Sequence, residues 1–217
     1  MLNREWSPEG REPVRNFNRS HYGKHIVFFP SQKNNKQIIC ESRHEADYCV
    51  VLELDKNVRT YFLQPVTSEF RLGLKTIHYT PDFFVRTHDH TDYFSEVKPT
   101  FDPCSPGYLQ ILHLFEKQAR KLHYGFLKVE DPPPEQLTRK STLQTLYLRS
   151  LQATEIEYQY LVNETQGISS LTIGELLMQS DAPSMRAIAK AIIQGVIWID
   201  LKQPLNLNTL LVFGSSK

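Results

Sequence analysis

"YTPDFFVRTHDHTDYFSEVKP", Tyr79 to Pro99, sets an Asp directly after a proline and, further along, a Glu and a Lys separated by one valine. The flanks of its polar centre, "RTHDHTD", have the period of strands. Ile77, Tyr79, Phe83 and Val85 alternate with His78, Thr80, Asp82 and Phe84, and "YFSEVK" is a second short run. The stretch therefore predicts a β-hairpin. Side chains alternate faces along a strand, so Glu96 and Lys98 share one side while Val97 points into the opposite layer. With Asp82 on the neighbouring strand, roughly 5 Å away, three charged groups converge.

Working outward, length and composition bound what that convergence can mean. A chain of 217 residues, 40% apolar and 23% charged, has room for one sizeable domain and a small one, and it is not a disordered chain. Its three cysteines, Cys40, Cys49 and Cys104, are odd in number and lack CxxC spacing. Neither a disulfide framework nor a zinc ribbon is indicated, and a reducing interior fits best. The opening "MLNREWSPEGREPVRN" has no apolar core of a signal peptide, and no later stretch approaches the ~20 uninterrupted apolar residues of a membrane span. The expectation is a soluble, cytoplasmic bacterial protein without a membrane partner.

The net charge of +1 conceals an uneven distribution. Residues 1 to 45 hold eight Lys and Arg against five Asp and Glu, and residues 117 to 150 hold seven against three. Between them, residues 46 to 116 hold six basic and ten acidic residues. Such a chain can set basic flanks on a phosphate backbone around an acidic, cation-binding centre. An ordinary mixed surface fits the same numbers. The small total excess of positive charge argues against tight DNA binding by this chain alone.

Residues 1 to 35 read as an extended arm with short ordered pieces. In "SRHEADYCVVLELD", Ser42 is a candidate N-cap and Ala46, Cys49, Val50 and Leu54 form an apolar stripe. "VRTYFLQPVTSEFRL" and "KTIHYTPDFFV" read as strands. Ser105 and Pro106 open a helix burying Leu109, Leu112, Phe115, Ala119 and Leu122, and "YGFLKV" is the strand after it. The order predicts an α/β domain whose mixed sheet is flanked by helices. "EDPPPEQ" marks a boundary, giving one domain over 1–137 and another over 138–217. The second is helical through "STLQTLYLRSLQATEIEYQYLVNE", "IGELLMQ" after Thr172, and "PSMRAIAKAIIQ" ending at Gly195. It closes on "VIWID" and "LNTLLVF" as a two-stranded ribbon, a winged-helix-like layout. Arg186, Lys190 and Gln194 lie at i, i+4 and i+8, a polar stripe that could face a DNA groove or simply solvent.

Hydrolysis of a phosphodiester needs a cation against developing charge, an in-line water and a group that steadies the anionic transition state. Two carboxylates and an ammonium supply these needs: Asp82 and Glu96 as hard oxygen ligands for Mg²⁺, and Lys98 beside the metal. Glu45 carries a second reading, since Ser42-x-x-Glu45 is also a capping box. Glu41 and Glu53 are the alternatives if the helix register differs. His88, Asp89, His90 and Asp92 suit a hairpin tip better than a metal cluster. Trp6 and Trp198 could stack on bases or on a partner, and Trp198 also fits a wing or core position.

"SRHEADYCVVLELD", "VRTYFLQP", "HYTPDFFV" and "SEVKP" together resemble, in order and spacing, the nuclease domain of the TnsA family, the endonuclease subunits of heteromeric bacterial transposases. The resemblance covers about residues 27 to 130 and implies a restriction-endonuclease-like core with a PD-(D/E)xK motif at Pro81, Asp82, Glu96, Val97 and Lys98. It implies catalytic roles for Glu45, Asp82, Glu96 and Lys98, and a Mg²⁺ site, also open to Mn²⁺, around Glu45, Asp82, Glu96 and Val97. Some relatives carry Gln where Glu96 stands. Gln64 and Pro65 match the family's "QP" step, so Gln64 is a candidate DNA contact, with a turn role as the alternative, alongside Arg186 and Lys190. The implied activity is cleavage at the 5′ ends of a transposon, with transposon-end double-stranded DNA, the TnsB transposase and the ATP-dependent regulator TnsC as partners. A restriction or junction-resolving nuclease of the same fold, or a catalytically silent scaffold, are the other readings of the same residues.

Overall fold

The computed structural model describes residues 2, 3, 6–9, 13, 14, 26–133 and 136–214. Two compact units meet in sequence at Asp131 and Pro132, earlier than the break after residue 137 suggested by the proline run. The reason is local: a strand ends at Glu130, and prolines without N–H groups cannot extend its ladder.

The first unit opens with a hairpin of β1 (Val27–Ser31) and β2 (Lys36–Cys40), inside the stretch expected as an arm. Of that arm, residues 15–25 lie outside the described residues. Helix α1 (Arg43–Leu54) starts where Ser42 Oγ accepts from the Glu45 amide. It buries Ala46, Cys49 and Val50 as expected, together with Tyr48 and Leu52, whereas Leu54 is half-buried at the C-terminal end. Then come β3 (Val58–Leu63), a separate hairpin of β4 (Ser68–Leu72) and β5 (Lys75–Tyr79), and the expected hairpin of β6 (Phe83–Thr87) and β7 (Tyr93–Lys98). Helix α2 (Pro106–Lys121), capped by Ser105, leads to β8 (Gly125–Glu130).

The main sheet runs β3-β6-β7-β8. Its first two pairings are antiparallel and β7–β8 is parallel, so the sheet is mixed, as helix α2 between β7 and β8 requires. This α/β arrangement is compatible with a nuclease-like core. Register packs β7 and β8 closely: Gly125 faces Tyr93, and a Cβ there would lie 2.9 Å from the Tyr93 Cβ.

Period two on β6 sorts the core into layers. Phe83 meets Tyr48 of α1 at a centroid distance of 5.3 Å, while Phe84 turns to the other face with Phe94, Phe115 and Tyr124. The helices thus cover opposite faces. Trp6 is not available to bases: it is buried against Phe84 and Phe94, with centroids 5.0 and 5.3 Å away.

The second unit has α3 (Leu137–Ser150), α4 (Glu155–Glu164), β9 (Ser170–Thr172), α5 (Ile173–Leu177), α6 (Met185–Ile193), β10 (Ile197–Trp198) and β11 (Leu210–Phe213). The helical run through 150–160 breaks because Thr154 and Glu157 form a capping box that starts α4 anew. Gly195, at φ +76°, ends the stretch after α6. The ribbon expected as two strands has three, in the order β10-β11-β9, because Ser170–Thr172 pairs with Leu210–Val212. Its core gathers Leu161, Leu176, Ile188, Ile197 and Leu211. Trp198 is 60% exposed, so it is not a core residue.

Phe94 sits at the centre of the aromatic layer and has no exposed surface. Replacing it with Ala should cost about 3–5 kcal/mol, read from urea unfolding of the full chain; a loss below ~1 kcal/mol would show that this layer does not carry the packing.

Candidate active site

Where β6 begins and β7 ends, the charged residues of the opening stretch meet. Asp82 lies one residue before β6, and its Oδ2 accepts the Val97 amide at 2.8 Å. Because that amide belongs to β7, the carboxylate takes a place in the sheet ladder that a backbone carbonyl would ordinarily fill. Lys98 Nζ donates to Glu96 Oε1 at 2.6 Å and stands 3.8 Å from Asp82 Oδ2. Both carboxylates are buried, at 5% and 3% exposure, in the floor of a cleft of about 470 Å³.

Glu45 reaches the same cleft from the first turn of α1. Its amide bonds to Ser42 Oγ, and its carboxylate accepts from the Glu41 amide at 2.8 Å and the Ser42 hydroxyl at 3.0 Å. The cap and the site are therefore the same residue. The back-bond falls on Glu41, one residue before the N-cap. Glu41 lines the cleft as well, whereas Glu53 sits at the far end of α1, where Ser31, Tyr61 and the Lys33 amide bind its carboxylate.

Of the four carboxylates lining the cleft, Glu45, Asp82 and Glu96 act on its one ammonium, Lys98. Burial, then the charge of Glu96, push Asp82 up to about 8, and Lys98 pulls the other way. Burial also raises Glu45, against the pull of its Glu41 and Ser42 hydrogen bonds. Lys98 is raised although burial opposes it, because Asp82 and Glu96 outweigh that cost. Such a site is short of positive charge, and hard oxygen donors around a negative deficit suit a divalent cation. Glu45, Asp82, Glu96 and the main-chain carbonyl of Val97 are the oxygen donors that line this cleft and could hold one, although the three carboxylates do not converge as closely as a preformed cluster with all ligand atoms within 4.8 Å.

Two residues here escaped the sequence reading. Tyr79, the last residue of β5, donates to Glu96 Oε2 at 2.7 Å, and Tyr108, in the first turn of α2, donates to Glu96 Oε1. The i−3 spacing of Tyr79 from Asp82 was visible, but an aromatic on an alternating strand looks like core. His44, Asp47 and Asp131 also gather, and among the described residues they are the one group of three such side chains whose ligand atoms all lie within 4.8 Å of one another. His44 Nδ1 lies 2.9 Å from Asp131 Oδ2.

The other candidates fall elsewhere. Gln64 has φ +45°, its amide donates to the Asp82 carbonyl at 2.8 Å, and it is 2% exposed. The turn role is built in, and its side chain does not line the cleft. Arg186 pairs with Glu157 at 2.8 Å and Lys190 with Glu155 at 2.9 Å, so the stripe expected to face a groove is engaged by α4. At the hairpin tip, Asp89 accepts from Thr91 and Asn57 and Asp92 from the Thr87 amide, the bonds of turn residues.

The raised Asp82 fixes the sign of a pH effect. Without divalent cation the folded chain holds a proton between pH ~4, where an unfolded Asp releases it, and about 8. That stabilisation is complete below the lower value and is lost as pH rises through the upper one. Thermal melts in EDTA should therefore show wild type losing stability from pH 5.5 to 8.5 relative to Asp82→Asn; parallel curves for the two proteins would show that Asp82 titrates normally.

Compared with known proteins, the chain matches no protein-family model and no curated protein sequence.

Proposed function

We propose that this chain is a Mg²⁺-dependent DNA endonuclease, the subunit of a transposase that cuts the 5′ ends of a transposon. One observation carries the reading: residues distant in sequence, Glu45, Asp82, Glu96 and Lys98, line one cleft with Asp82 held by the amide of Val97. That is the pattern a PD-(D/E)xK site requires, on a mixed sheet with helices on both faces.

Each side chain has a task that its surroundings suit. A bound Mg²⁺ supplies neutralisation of phosphate charge and a more acidic bound water. Asp82 is locked in orientation by Val97, and Glu45 by Glu41, so neither must be ordered when a cation arrives. Lys98 keeps its proton and, 34% exposed at its side chain, presents a cation to charge developing on a phosphate. The buried floor keeps these interactions out of water, where they would be screened.

The second unit supports a docking role. Its order of two helices, a strand, two helices and two further strands, with β11 central in the sheet, is compatible with a winged-helix layout. In that layout α6 would be the helix offered to DNA, yet Arg186 and Lys190 are committed to Glu157 and Glu155. We therefore read this unit as a surface for a protein partner, TnsB or the regulator TnsC, and DNA as delivered by the assembly.

Asp82→Asn and Lys98→Ala should each lower Mg²⁺-dependent nicking of transposon-end DNA by the reconstituted assembly about 10²-fold or more, with far-UV circular dichroism unchanged. Glu45→Gln, which keeps an acceptor for the Glu41 amide, should lose cleavage with little stability, and Ser42→Ala should do the reverse at about 1 kcal/mol. Full cleavage by the Asp82 and Lys98 variants would sink the site. The isolated chain, with its net charge of +1, should bind random and transposon-end duplexes weakly and alike at about 0.15 M salt. Tight, end-specific binding and robust cutting by this chain alone, in an electrophoretic shift and nicking assay, would point instead to an autonomous restriction-like enzyme.

A further inference from the structure

Glu96 accepts from three side chains. A carboxylate offers about four lone-pair sites, two on each oxygen. Tyr108 and Lys98 both donate to Oε1, and Tyr79 alone donates to Oε2. Oε1 is therefore filled, and among the described residues Oε2 accepts one bond and keeps one site open. The two tyrosines differ in kind from the lysine, because a neutral hydroxyl fixes the direction of a carboxylate without cancelling its charge.

The two hydroxyls come from separate elements, and packing fixes both. Tyr79 ends β5, pairs with Ser68 across its hairpin, and stacks edge-on against Phe115 of α2 at 5.0 Å. Tyr108 is placed by the Ser105 cap, whose Oγ accepts its amide. Side chains in a first helical turn lean back toward the N-terminus, which turns this ring to the end of the sheet. Lys98 Nζ lies 5.9 Å from its centroid. Three elements that share no hydrogen-bonded sheet edge thus converge on a single carboxylate.

Resting on the nuclease reading above, we propose that Tyr79 and Tyr108 are positioning residues. They hold the Glu96 carboxylate so that Oε2 alone has room for a cation, and so set how tightly the cleft takes one. Loss of either hydroxyl leaves a buried carboxylate free to turn and under-bonded, and outer-layer partners of this kind change metal affinity about 10–100-fold.

The test uses the full chain and Mn²⁺ itself as the probe, with binding followed by electron paramagnetic resonance and stability by metal-free thermal melts. Tyr79→Phe and Tyr108→Phe remove only the hydroxyls. Tyr48→Phe is the matched control, a buried tyrosine whose hydroxyl lies 3.3 Å from that of Tyr93. Mn²⁺ affinity should fall about tenfold or more in both site variants and stay unchanged in the control, whatever the melting temperatures do. In the reconstituted assembly, raising Mg²⁺ should restore cleavage by Tyr108→Phe. If Tyr79→Phe proves poorly folded, the half-buried Tyr108 decides alone. Affinities within twofold of wild type, with wild-type binding intact, overturn the positioning role and leave the nuclease reading standing. A wild-type chain that takes up no Mn²⁺ overturns the nuclease reading itself.

Discussion

The hydrogen bond from the Val97 amide to the Asp82 carboxylate holds the site to the sheet. It spans the point where β6 starts and β7 ends, and it uses a side chain in place of a ladder carbonyl. An ionised carboxylate in such a position costs a good deal unless it is bonded and paired. Val97, and Lys98 at 3.8 Å, meet that cost in part. What they leave unmet appears as the upward push on Asp82. The same burial that raises Asp82 leaves the cleft short of positive charge.

Around this bond, the elements act as supports for a few side chains. The two helix starts converge on one end of the sheet, α1 delivering Glu45 and α2 delivering Tyr108. The layered aromatics behind them, Phe84, Phe94 and Phe115, make that end rigid, since close-packed interiors transmit displacement and do not absorb it. Tyr79, which bonds Glu96 in the cleft, belongs to the same buried cluster as these aromatics. The second unit follows a different logic. Its basic side chains on α6 are spent on α4, where each exposed pair is worth little to stability but removes a cation from any groove-facing stripe.

The hairpin at residues 79–99, the α1 cap, the α2 cap and its apolar positions, and the helix end at Gly195 were all legible in the chain, because each depends on a period or on a residue with a local backbone role. Asp82, Glu96 and Lys98 could be brought together by strand arithmetic alone. Glu45 could be named from the sequence, but its double role as cap and cleft residue could not be resolved there, since both uses ask for the same carboxylate in the first turn. Tyr79 and Tyr108 were invisible as functional groups: a tyrosine on an alternating strand or an amphipathic helix has the signature of core. Arg186 and Lys190 failed in the opposite sense. Their spacing is that of a free stripe, and only the neighbouring helix shows that the charges are taken.

Sequence by itself determined the elements and the chemistry of their ends, because turn residues, caps and alternation act over a few positions. It also determined that one acidic pair and a lysine share a face. Tertiary structure alone decided the mixed order β3-β6-β7-β8, the third strand β9 beside β11, and the burial that moves Asp82 from its usual range. Those outcomes depend on which distant surfaces exclude water from one another, and no local pattern encodes the partner against which a residue is finally buried.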